Sequence, residues 1–555
     1  MSVAFSVILL TVAGCGTAPA SAPSHPNALT IATPPDTTVS WWPPLITAVN
    51  CGTVAGGLGD GLWGYMPLLY YNSNDTINWQ TSIADSISHN AADTQYVVHL
   101  NPKWHWSNGQ PVTAQDVVYD YELEAAASNP NAPLFFCDAN AGGLPQLWKS
   151  VTATSEYTVT IDISKPVNPT WLIDNGIAQL LPVPKNLWDR YANMTQELSW
   201  MKSIGNSPYN KIYQVTDAPY KFKKLVTNEY WEFVANPHYD GPVKPIIKTI
   251  IYDYETSTAN IFAQLKKGDV QEAVYSNSMW PDRSQLKNDV VESTPFFGFS
   301  YALLNFNPRA PVGTLFHNLY IRQALQYGIN QPLIVNKFYH GHAVPSYGPV
   351  PAQADVYNRS LGNLYPFDPA KGKALLEAHG WHMVNGVMEK NGQKLAFTAD
   401  LFAGSPTLAD IAEYEKSVWA SEGIDVTLKE LAEMPFLGDA ALANEWSMVL
   451  GFGWLYGPPY DPSGDGLFST GGGYNYDYYS SPTMNTLIAK TTEPASLAGT
   501  IQAFHQYQRF AFENLPVLYF PDGNLLTAVS TQLGGWAAAH DNMYYGTNDQ
   551  GLFWK

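Results

Sequence analysis

The sequence predicts an α/β fold arranged in more than one lobe, and three observations carry that expectation. The chain has 555 residues, more than one hydrophobic core usually accommodates, so two or three lobes are expected. Apolar residues make up 45% of it, ample for cores of that size. Strand and helix periodicities then alternate within short stretches. Residues 301–306, YALLNF, form an apolar run of buried-strand length. After a loop, Ile321, Ala324, Leu325 and Ile329 recur at helical three- and four-residue spacing. Asn330 and Pro332 then suit the start of a second helix and Gly341 its stop.

Composition narrows the function classes. A net charge of −19 argues against nucleic-acid binding, which calls for a basic surface. Acidity of this kind keeps an exported protein soluble. Charged residues at 14% are sparse, and sparse charge with abundant Trp and Tyr also suits an acidic habitat. Residues 3–12 are apolar but too few to span a bilayer, as in the core of a signal peptide. The following Val12-Ala13-Gly14-Cys15 looks like a bacterial lipobox, with residues 1–14 removed and Cys15 lipidated. Residues 16–27 are rich in Ala, Pro and Ser, so residues 15–27 form a flexible tether. Cys51 and Cys137 remain. Outside the membrane they are either a disulfide or two thiols, and with no C-x-x-C pairing they are no metal site.

Taken in order, residues 28–32 read as a short strand, followed by the Pro- and Trp-rich Ser40-Trp41-Trp42-Pro43-Pro44. Residues 59–64 satisfy G-x-G-x-x-G by letters, but without a strand–helix setting they are a loop. Residues 96–100 alternate like a strand, Asn108-Gly109 marks a turn, and Thr113 caps a helix with Asp116 in its first turn. Residues 151–163 alternate polar and apolar as one half-buried strand. Residues 246–252 form a further strand. Asp368 and Gly380 bracket a helix. His99 with His105, and His379 with His382, lack a third partner or a shared helical face, so no metal is expected. Asp461-x-Ser463-x-Asp465-Gly466 imitates the front of a calcium loop, but Gly472 stands where a bidentate Glu is needed.

Several of these stretches together resemble the bacterial extracellular solute-binding proteins of family 5. These serve ATP-binding-cassette importers of peptides, nickel and some sugars. The matching residues include Ile83-Ala84-Asp85-Ser86, Trp104-His105-Trp106, Thr113-Ala114-Gln115-Asp116-Val117 and Ala235-Asn236-Pro237-His238-Tyr239-Asp240-Gly241. They continue with Leu304-Asn305-Phe306-Asn307, Arg322-Gln323-Ala324-Leu325, residues 367–381, Gly453-Trp454 with Asp461-Pro462, and Leu515-Pro516.

The resemblance implies a two-lobed periplasmic-binding-protein clamshell of the α/β class with mixed sheets. It also implies an extra subdomain in the first lobe and a hinge of two crossing strands. Lobe I is expected over residues 28–304, with the subdomain at about 70–190. Lobe II is expected over 305–512, with residues 513–555 returning to lobe I. The implied ligand-contacting residues are Trp41, Trp42, Asn305, Gly453, Trp454, Tyr456 and Tyr519. For the two early tryptophans and the Trp454 segment, ordinary packing is the alternative. The family's first acidic residue of the cleft loop, which holds a peptide ammonium, is replaced by Gly457-Pro458.

The resemblance thus implies a monomeric, lipid-anchored receptor on the outer face of the bacterial membrane. It would deliver an oligopeptide-like solute to a permease, with no cofactor. An oligosaccharide or other polar solute is the second reading. A secreted glycosidase is the alternative of a different class, because its paired carboxylates need no local motif. No G-x-S-x-G, H-E-x-x-H or Walker pattern appears.

Overall fold

The computed structural model describes residues 28–33, 41–47, 64–72, 76–129, 131–136, 141–295, 297–431, 443–456, 461–536 and 549–555. Cys15, Cys51, Cys137 and residues 457–460 lie outside the described residues. In chain order, β1 is Ala28–Thr33, β2 Ala84–His89, β3 Gln95–Leu100, β4 Trp148–Ser155 and β5 Thr158–Ile163. Then come β6 Tyr220–Val226, β7 Tyr230–Ala235, β8 Thr249–Tyr254, β9 Glu272–Val274 and β10 Asp289–Thr294. The next are β11 Gly298–Leu304, β12 Ala343–Val344, β13 His382–Val384, β14 Val387–Lys390 and β15 Gln393–Lys394. They are followed by β16 Ala396–Phe402, β17 Asp425–Leu431, β18 Met448–Leu455, β19 Leu518–Phe520, β20 Asp522–Gly523 and β21 Leu525–Ser530.

Two large mixed sheets organise the molecule. The first has seven strands in the order β10-β21-β9-β1-β8-β7-β6, with β1 parallel to β8 and β9 and the others antiparallel. The second has five, β17-β16-β18-β11-β19, with β16 parallel to both neighbours. A four-stranded sheet, β2-β3-β5-β4, shares one hydrophobic core with the first large sheet, and the second large sheet has a core of its own. The early strands therefore decorate the first lobe without forming an independent core.

The chain passes between the large sheets twice. It leaves β10 at Thr294, enters β11 at Gly298, and returns from β19 through β20 to β21. Since β10 pairs with β21 and β11 with β19, the two crossings run side by side and antiparallel. Asp522, buried between them, accepts the Ser300 N–H at 2.6 Å. The sheet exchange falls ahead of β11, not after residue 304, because Tyr301, Leu303 and Leu304 pack into the second core. The return lies likewise beyond β19 rather than at residue 513.

Local signals explain most elements. Thr113 and Asp116 form a capping box on helix Ala114–Ala127, the Thr113 N–H donating to Asp116 Oδ2 at 2.8 Å. Asn330 caps helix Gln331–Lys337, and Asp368 caps helix Pro369–Ala378. Gly341 adopts φ +86°, which only glycine takes without strain. Residues 151–163 are not one strand but the hairpin of β4 and β5, turning at Glu156-Tyr157. Both arms keep the same alternation, so periodicity alone does not reveal the turn.

Candidate functional site: a bare strand edge beside the lobe contact

The second half of β18 is paired on one side only among the described residues. The first half is paired on both sides, to β11 and, through residues 448–450, to β16. Past Leu450 the parallel pairing with β16 ends, while pairing with β11 continues to Leu455. The Tyr456 N–H donates to the Phe297 carbonyl at 2.9 Å. In an antiparallel ladder that parity turns the main-chain groups of Trp454 and Phe452 toward β11 and those of Gly453 and Leu455 away. Among the described residues no strand pairs with that side. Gly453 is exposed and Leu455 is 46% exposed, so a short, open row of N–H and C=O groups faces outward.

The two faces of this strand differ. Trp454 lies opposite Phe299 in the ladder, and its ring is 4.6 Å from Tyr474 and 6.4 Å from Tyr456. Its Nε1 is buried with no hydrogen-bond partner among the described residues, a donor that costs free energy until something accepts from it. Phe299, Tyr301 and Tyr519 continue the aromatic layer into the second core.

The other residues implied by the resemblance are taken up by packing and pairing within the chain. Trp41 and Trp42 belong to the first core: Trp41 Nε1 donates to the Leu45 carbonyl at 2.8 Å, and Trp42 packs edge-on to Phe222. Asn305 is fully buried and its amide donates to the Ala443 and Trp446 carbonyls at 2.8 and 2.9 Å, so it braces a loop. Tyr456 is buried with its hydroxyl on the Pro349 carbonyl, and Tyr519 is buried in the second core. Of the seven, Gly453 and Trp454 alone are drawn together at the open edge. The reason is ordinary: a large ring is stabilised by burying its apolar area, and a buried amide must be hydrogen-bonded to offset its lost hydration.

Sequence reasoning missed Asn175. It closes the first-lobe helix Pro169–Asn175, and its side chain pairs with the main chain of Asp461 just beyond the cleft segment. No local pattern could have shown this, because the partners are 286 residues apart. Asp461 and Asp465 lie at this contact, and burial, then neighbouring carboxylates for Asp461, pushes both carboxyls above the usual range. Ser463 Oγ donates to Asp465 Oδ1 at 2.7 Å. Among the described residues no group of three or more His, Cys, Asp or Glu is placed to hold a metal ion, and no helix is long and apolar enough to cross a membrane.

With this geometry in place, the profile of the bacterial extracellular solute-binding proteins, family 5, matches residues 78–476. The chain belongs to that family. Among relatives of this family 5 protein, the periplasmic oligopeptide-binding protein OppA of Salmonella typhimurium is 24% identical over 480 residues, covering 81% of this chain and 80% of OppA. The fold is similar to that of the oligopeptide-binding protein AppA of Bacillus subtilis in complex with a nonapeptide. That match has a TM-score of 0.79 at 18% identity, covering 95% of this chain and 99% of AppA. It is also similar to NikZ of Campylobacter jejuni in complex with Ni(L-His), with a TM-score of 0.76, 19% identity and coverage of 95% and 99%. The expected two-lobed solute-binding fold is therefore the one present. Family 5 proteins bind solutes outside the cytoplasm, so the glycosidase alternative is set aside.

Proposed function

We propose that this protein captures an extended oligopeptide between its lobes and presents it to the permease of an ATP-binding-cassette importer. The observation that supports it is the bare edge at Gly453 and Leu455. An extended peptide can add to such an edge as a strand, taking affinity from main-chain bonds and leaving side chains to shallow pockets. OppA and AppA, which are named for oligopeptides, share the family and the fold respectively. Trp454 forms the adjoining wall. Cys15 is the lipid anchor and residues 15–27 the tether, a reading supported by the Val12-Ala13-Gly14-Cys15 motif. The closed receptor works as a monomer and needs no cofactor.

Mass spectrometry of solute co-purified with the native protein tests the ligand class, with thermal shift against a tryptic casein digest and a maltodextrin mixture as probes. Stabilisation by the digest alone is expected; stabilisation by maltodextrin alone would make the ligand a saccharide. Two variants test the edge. Gly453→Pro removes the outward N–H at a position where a strand edge tolerates proline, and should cut digest binding by about tenfold or more while the fold persists. Trp454→Ala should weaken binding about tenfold in calorimetry; unchanged affinity would take the indole out of the site.

A further inference from the structure

One first-lobe helix is tied to the second lobe at both ends. At its start the Asn168 N–H donates to the Thr492 carbonyl at 2.8 Å. At its end Asn175, fully buried, makes a two-way pairing: Nδ2 donates to the Asp461 carbonyl at 3.0 Å, and Oδ1 accepts the Asp461 N–H at 2.8 Å. Nδ2 also reaches Ser463 Oγ at 3.5 Å. An amide is the one short side chain that offers a donor and an acceptor side by side, as a strand neighbour would. These bonds are made by protein groups on both sides and exist only when the lobes meet.

We infer that Asn175 is a positioning residue for solute capture: its amide latches the lobes together by fixing the main chain of the second lobe at Asp461. The inference rests on the capture reading above but not on the identity of the solute. The groups facing the latch are Asp174, whose carboxylate accepts the Tyr71 hydroxyl at 2.7 Å, together with Asp461 and Asp465 on the second lobe. The Tyr456 and Tyr507 phenols lie behind them. A neutral amide suits this acidic surrounding, and a carboxylate at position 175 would not.

That contrast supplies the test, made on the full chain by small-angle scattering with and without tryptic casein digest. Asn175→Ala loses both bonds, and the closed-to-open ratio should fall by about tenfold or more. Asn175→Asp keeps the acceptor for the Asp461 N–H but has a donor only when protonated. It should open near neutral pH and close again as the pH is lowered and its carboxyl takes a proton, a swing larger than that of the wild type, whose amide does not titrate. A reversal with pH distinguishes a latch from a merely misfolded variant, and it decides the matter should Asn175→Ala fail to fold. Superimposable curves for wild type and Asn175→Ala, a wild type open in both states, or an Asn175→Asp curve independent of pH would overturn the latch. If the digest binds nothing while the variants still differ in this way, the peptide reading fails and the latch stands.

Discussion

Arg322→Met is expected to destabilise the second lobe by about 2–5 kcal/mol, because it leaves two buried carbonyl acceptors unpaired at about 1–3 kcal/mol each. Arg322 is 5% exposed on helix Leu319–Gly328. Its Nε and Nη2 donate to the Asn514 carbonyl at 3.2 and 2.8 Å, and Nη1 donates to the Phe316 carbonyl. The guanidinium lies 5.2 Å over the Phe306 ring. Burial lowers its pKa to about 10, which still leaves it charged near neutrality. Asn514 ends the long helix Leu497–Asn514, where carbonyls have no intrahelical partner. Methionine fills a similar volume but strands these carbonyls in an apolar core. The expected result is an early unfolding transition of the second lobe in calorimetry, with the first lobe melting as before. A variant melting at the wild-type temperature would show that the guanidinium only fills space.

The second large effect is a pH dependence running opposite to that of most proteins. Glu422 is fully buried on helix Pro406–Glu422, and no Lys, Arg or His pairs with it among the described residues. Burial, then Glu415 and Asp368, raises its pKa to about 9. Burial likewise carries Asp217 to about 8 and Asp477 to about 8. The folded state therefore keeps protons that the unfolded chain, titrating at about 4, releases. Stability from these groups is complete below about pH 4 and is lost as the pH rises through 8 to 9. The melting temperature should accordingly fall steadily from pH 5 to pH 9. Glu422→Gln, neutral and nearly isosteric, should remove part of that slope and raise stability at pH 8 by about 1–3 kcal/mol. A melting temperature that climbs with pH would contradict this account.

Much of the fold was readable because it is written in short-range terms. Caps at Thr113, Asn330 and Asp368 need only a side chain and the next turn of backbone, so those helices start where spacing places them. The hairpin of β4 and β5 was not readable, since alternation continues through its turn. The candidate site was legible only in part. Gly453 and Trp454 carry the family wording and do lie at the open edge, whereas Trp41, Trp42 and Asn305 carry similar wording and serve packing or loop bracing. A ring or an amide reads the same in sequence whether it meets a ligand or another part of the chain.

By itself, then, the sequence determined the family, the two-lobed α/β class and the absence of motifs for bond chemistry, because these rest on pattern and composition. Tertiary structure decided which edge of β18 has no strand partner among the described residues, where the chain changes sheets, and that Asn175 meets Asp461. Each of those depends on where β16 stops or on contacts between residues hundreds of positions apart, and chain spacing carries no record of such distances.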